Sequence, residues 1–252
     1  MTFCIAMKLR EGLVGLSDTR VTSGVEASTA KKVSTYHYGD HSMFVMTSGL
    51  RSARDKALTY FDEVLEGMDL KFDKLYKAVN AFADQVRRVY AEDKEALKES
   101  NLSFNLHCII GGQLEKDSDH KLYQLYPQAN WVEVSQGTPY YIIGESSYGK
   151  SLLDRLLNYD TSLQTAVKIG YLAFEATRKA ATDVYFPIDM VLYRPDINKL
   201  VQHRYELDDL RPVGDWWQNQ LKELLEELPS EWLEELFTQL PPSRQKSLAD
   251  AI

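Results

Sequence analysis

Apolar side chains begin at once and alternate: Phe3 and Ile5 fall between Thr2, Cys4 and Ala6. A period of two predicts a β-strand from Thr2 to Leu9, where most chains fray. Arg10-Glu11-Gly12 reads as a turn into a second strand, Leu13 to Ser17, which closes a hairpin. A polar loop is expected around Thr22 to Thr29. A second hairpin follows, Lys32 to Tyr38 and Ser42 to Thr47, joined at Gly39-Asp40. The period then switches. Leu50, Ala53, Ala57, Tyr60, Phe61 and Val64 recur at helical spacing, as do Leu75, Val79, Phe82, Val86, Val89 and Tyr90. Strands return at Phe104 to Ile110, Leu122 to Tyr126, Trp131 to Val134 and Tyr140 to Ile143. A short helix is expected after Gly149 and a longer one from Thr161, where Thr161 and Gln164 stand at capping-box spacing. Ile188 to Tyr193 and Leu200 to Tyr205 complete the strands.

Strands and helix pairs thus come in segregated runs, which argues against a parallel βαβ fold. The expected class is α+β, with two antiparallel sheets face to face and a helix pair outside each. From Arg211 the pattern becomes wholly helical: Trp217, Leu221, Leu224, Leu225 and Leu228, then Trp232, Leu233, Leu236 and Phe237. Pro229-Ser230 divides the two runs, with Ser230 as an N-cap, and Pro241-Pro242 closes the second. The expected organisation is one domain over 2–205 and a helical extension over 206–252.

Charge narrows the partners. Lys and Arg number 29 against 37 Asp and Glu, a net charge of −8, which disfavours nucleic acid and anionic membranes. Cys4 and Cys108 are the only cysteines, too few for a disulfide framework, and both stand in apolar runs as buried thiols. No apolar stretch approaches the ~20 residues of a membrane span. The opening lacks a basic segment followed by an apolar one, so a cytoplasmic protein is expected. His37, His41, His107, His120 and His203 show no metal-ligand spacing, and no phosphate-binding glycine loop occurs, so neither metal nor cofactor is expected.

The candidate chemistry lies at the start. Removal of Met1 ahead of the small Thr2 would put a hydroxyl and a free α-amine on one residue. Such an amine has a pKa of ~7.7–8.0. It is a base near neutral pH, which is what a threonine hydroxyl needs to become a nucleophile. Three further stretches stand in order: GLVGLSDTR with Asp18 and Arg20, AKKVSTY with Lys32, and VMTSGLRSA with Ser48 and Gly49 at a strand-to-helix junction.

These stretches together resemble the β-type subunits of the proteasome family of N-terminal threonine hydrolases. The opening MTFCIAM, the SDTR, the IGESSYGK stretch and the helical tail look most like that family's bacterial ancestral β-subunit branch, Anbu. The resemblance implies a four-layer αββα sandwich. It implies Thr2 as nucleophile, Lys32 as its electrostatic activator, Asp18 as the partner of Lys32, and the Ser48-Gly49 backbone as oxyanion donors. Arg20 belongs to the same motif. Glu145 stands where the family has an amine-supporting serine, with Ser146 and Ser147 beside it as alternatives. Asp183 matches a late aspartate near the terminus, Phe186 replaces the serine that usually follows it, and Asp189 is a second candidate. Val21, Ala30, Met46 and Leu50 fall on the first substrate pocket and imply an apolar side chain before the scissile bond. The resemblance also implies self-assembly into a closed or open helical ring. With no nucleotide motif in this chain, unfolding or tagging of substrates falls to a separate ATPase or ligase partner.

The implied function is hydrolysis of peptide bonds. Two alternatives stand beside it: a silent oligomeric scaffold, favoured by Ser48, Glu145 and Phe186, and an amidohydrolase acting on a small amide.

Overall fold

The computed structural model describes residues 2–23, 26–67 and 72–240. Its apolar runs fold into two five-stranded antiparallel sheets. The first contains β1 (Phe3–Leu9), β2 (Gly12–Asp18), β10 (Tyr140–Gly144), β11 (Ile188–Arg194) and β12 (Lys199–Tyr205), in the order β10-β1-β2-β11-β12. The second contains β5 (Val33–Tyr38), β6 (His41–Ser48), β7 (His107–Gln113), β8 (Lys121–Leu125) and β9 (Trp131–Glu133), in chain order. Helices α1 (Arg51–Glu66) and α2 (Leu75–Glu99) cover the outer face of the second sheet. Helices α3 (Lys150–Leu156) and α4 (Leu163–Ala180) pair with each other, and α4 lies on β1 and β2. The result is the four-layer αββα sandwich.

Each sheet is covered on both faces, so its central strands read as continuous apolar runs rather than half-polar alternations. In β6, Met43 and Val45 point to the helices and join Phe61, Phe82 and Val86. Phe44 and Met46 point the other way, between the sheets, with Cys4, Ala6, Ile109 and Val191. Phe61 stands edge-on to Phe82 with ring centroids 5.3 Å apart. Burying a side chain of this size contributes about 1.5–3 kcal/mol. In β1 the same division sends Phe3 toward Phe174 of α4, at 6.3 Å, and Cys4 and Ala6 inward.

This arrangement explains why the chain's start is ordered. β1 is an inner strand with a neighbour on each side, Phe3 opposite Gly144 and Cys4 opposite Ser17. Two ladders hold it, and the register brings the end of β2 beside its first residues.

Several expectations need correction. The stretch expected as a polar loop around Thr22 to Thr29 contains a two-stranded ribbon, β3 (Arg20–Ser23) against β4 (Glu26–Thr29). It belongs to neither large sheet, so it carries no run of buried side chains. The strand expected from Phe104 starts at His107 and runs through Gly111 and Gly112 to Gln113. The N-cap of α4 is Ser162, whose Oγ accepts from the Thr165 N–H at 3.3 Å. Thr161 instead closes the preceding turn, its Oγ1 accepting from the Asn158 N–H at 3.0 Å. The Ser230 side chain makes no capping bond. Pro241 and Pro242 lie outside the described residues.

The chain divides into two compact units, Met1–Asp209 and Leu210–Ile252. The division falls after Asp209, four residues beyond the expected boundary at Tyr205. Helix α5 (Leu207–Glu226) carries the chain into the second unit, where a 3₁₀ turn (Glu231–Leu233) and the short α6 (Glu234–Phe237) follow. Val213, Trp216, Leu224, Leu225, Leu228 and Trp232 are exposed there. Among the described residues, no helix is long and apolar enough to cross a membrane.

Candidate active site

Asp18, the last residue of β2, is fully buried and binds three donors. Its Oδ1 accepts from the Phe3 N–H at 2.9 Å and from Lys32 Nζ at 2.7 Å. Its Oδ2 accepts from the Arg20 N–H at 3.1 Å. Burial pushes the carboxyl upward from its ordinary pKa, and the adjacent Lys32 ammonium is the largest influence against that shift. Lys32, just ahead of β5, is itself buried, and Asp18 is its ion-pair partner. A buried charge without such a partner would be neutralised rather than kept. One carboxylate thus joins the backbone next to Thr2 to a cation that immediately precedes the other sheet's first strand.

Thr2 is held through its backbone as well. Its carbonyl accepts from the Glu145 N–H at 2.7 Å. The close approach depends on Gly144, which has φ +93°, and a Cβ there would stand 1.9 Å from the Thr2 carbonyl oxygen.

Thr2, Lys32, Ser48, Gly49 and Gly144 line one cleft of about 710 Å³, between the sheet edges and the start of α1. That volume suits a peptide segment or a small organic ligand. Ser48 ends β6 and needs no left-handed backbone. The unusual dihedral falls on Gly49, at φ +124°, where a Cβ would stand 1.8 Å from the Asn105 carbonyl oxygen. The Leu50 N–H donates to Asn105 Oδ1 at 3.0 Å, so Asn105 braces this turn from the neighbouring segment.

The remaining expected residues fall in different places. Arg20 and Val21 line the cleft, and the Arg20 guanidinium lies 5.5 Å over the Tyr185 ring. Asp183 lies within hydrogen-bonding reach of cleft residue Thr22, and that bond draws its carboxyl below the ordinary range. The Glu145 carboxylate turns into its own loop: Oε1 accepts from the Ser147 N–H at 2.8 Å, which lowers its pKa. Ser146 and Ser147 are exposed beside it. Asp189 is not at the cleft. It is buried on β11 and held by both arms of Arg204 at 2.8 Å. Phe186 packs edge-on against Phe174.

Two of the four expected pocket residues lie elsewhere. Met46 is fully buried between the sheets, because position 46 faces inward in β6. Ala30 borders a separate shallow hollow with Lys31, Asp189 and Arg204. Only Val21 and Leu50 reach the cleft. Sequence reasoning missed the polar Arg51, Arg54, Asn105, His107 and Gln124, and the apolar Leu102, Ile142 and Ile143. The first two had a visible signal, a basic pair three apart directly after Ser48-Gly49-Leu50. Asn105, His107 and Gln124 come from the approach to β7, from β7 itself and from β8, and only the fold brings them here.

Cys4 offers no competing nucleophile. It is wholly buried, its thiol is pushed up to about 12 by that burial, and its Sγ contacts Ser17 Oγ at 3.1 Å.

A family model described as proteasome subunit matches residues 2–191. No curated protein matches the sequence. Among solved structures, the chain is similar to Anbu, the ancestral beta-subunit, from Yersinia bercovieri, with 28% identity and a TM-score of 0.83 over 90% of this chain and 98% of that one. It is similar to the chain in the helical assembly of the Anbu complex from Pseudomonas aeruginosa, with 29% identity and a TM-score of 0.84 over 90% and 97%. Anbu from Hyphomicrobium sp. strain MC1 gives 27% identity and a TM-score of 0.81 over 90% and 98%.

Proposed function

The chain belongs to the proteasome subunit family, and on that premise we propose that it is an N-terminal threonine hydrolase that cleaves peptide bonds. One observation carries the reading: Thr2, the Lys32 ammonium and the Ser48-Gly49 turn share a cleft, and Asp18 binds both Lys32 and the backbone following Thr2. Met1 lies outside the described residues. Its removal frees the Thr2 amine, which takes the proton from Oγ as Oγ attacks the carbonyl carbon. The Lys32 ammonium favours the developing alkoxide. Backbone N–H groups of the Ser48-Gly49 turn receive the oxyanion. The protonated amine then gives its proton to the departing amine. Water, activated by the same amine, hydrolyses the threonine ester and restores Oγ–H.

The test is chemical. Intact mass should show Met1 absent, and a peptide epoxyketone should add one equivalent that peptide mapping places on Thr2. Hydrolysis should rise with pH to a plateau as the Thr2 amine loses its proton, and fall about tenfold per unit on the acid side of that titration. Retention of Met1 in the active protein, or an adduct on another residue, rejects the assignment.

The same reading includes self-association. Trp216 is 60% exposed and Trp232 69%, more apolar surface than a solitary chain leaves in water without reason. The Pseudomonas aeruginosa relative forms a helical assembly. In this chain the unit from Leu210 onward supplies contacts between copies, in the cytoplasm. Light scattering on the purified protein should give a mass several times that of one chain, and a monomer at micromolar concentration contradicts this part.

A further inference from the structure

The cleft's lining is cationic, in a chain that is acidic overall. Arg20, Lys32, Arg51 and Arg54 all reach it, and among the described residues no Asp or Glu lines it. The chain as a whole carries −8. The carboxylates that answer these cations are not among the residues that line the cleft. Asp18 is buried beneath Lys32, and Asp183 lies beyond Thr22. Asp55 serves two arginines at once, Arg51 at 3.4 Å and Arg54 at 2.6 Å. Arg20 Nε is buried without a hydrogen-bond partner among the described residues. The charged side chains lining the cleft are therefore all positive, and a cleft of one sign concentrates ligands of the other.

Placement gives this charge a task. Arg51 and Arg54 stand three apart on the first turn of α1, hence on one face of it. They follow directly on the turn proposed to hold the substrate's carbonyl oxygen. The Arg54 side chain is only 11% exposed, so it is fixed among its neighbours rather than waving in solvent. Arg51, 57% exposed, guards the mouth. Around them the cleft presents Ser103, Asn105, His107 and Gln124, beside the apolar Val21, Leu50, Leu102, Ile142 and Ile143.

We propose that this cleft takes an acyl group bearing a carboxylate, an Asp or Glu residue immediately before the scissile bond, gripped by Arg51 and Arg54. The guanidinium fork matches a carboxylate in geometry as well as charge. This deepens the hydrolase reading and rests on it for the cleavage step, while recognition of the acid can be measured apart from cleavage.

The experiment has two arms. In the first, Met1-free protein is given fluorogenic peptides that differ only in Glu, Leu or Arg before the reporter. The Glu peptide should be cleaved at least about tenfold faster than the Leu peptide, and the Glu-to-Leu ratio should fall about tenfold in Arg51→Gln or Arg54→Gln. In the second, labelled peptide amides ending in Glu or Leu are titrated into Thr2→Ala protein by fluorescence anisotropy. The Glu peptide should bind about tenfold more tightly, and Arg51→Gln, an exposed and structurally tolerant change, should remove the difference. Acid-selective binding without cleavage would reject the hydrolase reading and sustain this one. Cleavage that favours Leu or Arg, or equal binding of the two amides, overturns the acid pocket.

Discussion

Replacing Thr2 by alanine is expected to lower peptide hydrolysis by at least about 10⁴-fold, the scale on which losing a nucleophile is felt. The protein should fold regardless. The described bonds that hold this residue run through its backbone: the carbonyl to the Glu145 N–H, and the next N–H to Asp18. Alanine preserves both. Thermal unfolding of the variant should therefore match the parent to within about 1 kcal/mol. Thr2→Ser keeps a hydroxyl beside the amine and should keep measurable turnover. If the alanine variant hydrolyses peptides at the parental rate, the chemistry belongs to another residue or to a contaminant.

The second large effect belongs to Lys32→Met. It strips the cation from Asp18, which is fully buried, and leaves an uncompensated carboxylate. The expected cost is about 3–5 kcal/mol at neutral pH. Burial already pushes the Asp18 carboxyl up, with Lys32 opposing it. Without Lys32 the folded pKa rises further above the ordinary ~3.9 of the unfolded chain. The folded state then binds the proton more tightly than the unfolded one. The variant is best placed below about pH 4 and loses stability as pH climbs through the folded pKa. Chemical denaturation at pH 5 and pH 8 should show its deficit against the parent widening at the higher pH. Adding Asp18→Asn, which removes the charge and keeps an acceptor for the Phe3 N–H, should recover much of the loss. A Lys32→Met protein as stable as the parent at pH 8 would mean that the ion pair contributes nothing.

What the sequence disclosed, it disclosed through periodicity. The FCIAM and MFVM runs belong to strands covered on both faces, and helical spacing marked α1 and α2 because their apolar faces meet a sheet. The β3–β4 ribbon escaped because it belongs to neither large sheet, and RVTS and EAST carry no apolar alternation. The Thr161–Gln164 spacing misled because Thr161 was committed to the turn before it, and only the chain's path shows that. At the site, motif residues within one stretch were legible, while groups that converge from distant segments were not. Nothing local tells Gln124 or Asn105 that they face Thr2 across a cleft. Met46 shows the converse error. Position along a motif placed it in a pocket, but strand alternation turns it into the core. In the Ser48-Gly49 turn the unusual dihedral falls on the glycine, which tolerates it.

The clamp on the first strand begins at the carbonyl of residue 2 and the N–H of residue 3. No bond in it depends on the amino group ahead of them. Maturation and folding are therefore separable events under the proposed chemistry. A cell short of methionine aminopeptidase would accumulate chains that are correctly built yet chemically dormant, and trimming one residue later would awaken them without any rearrangement.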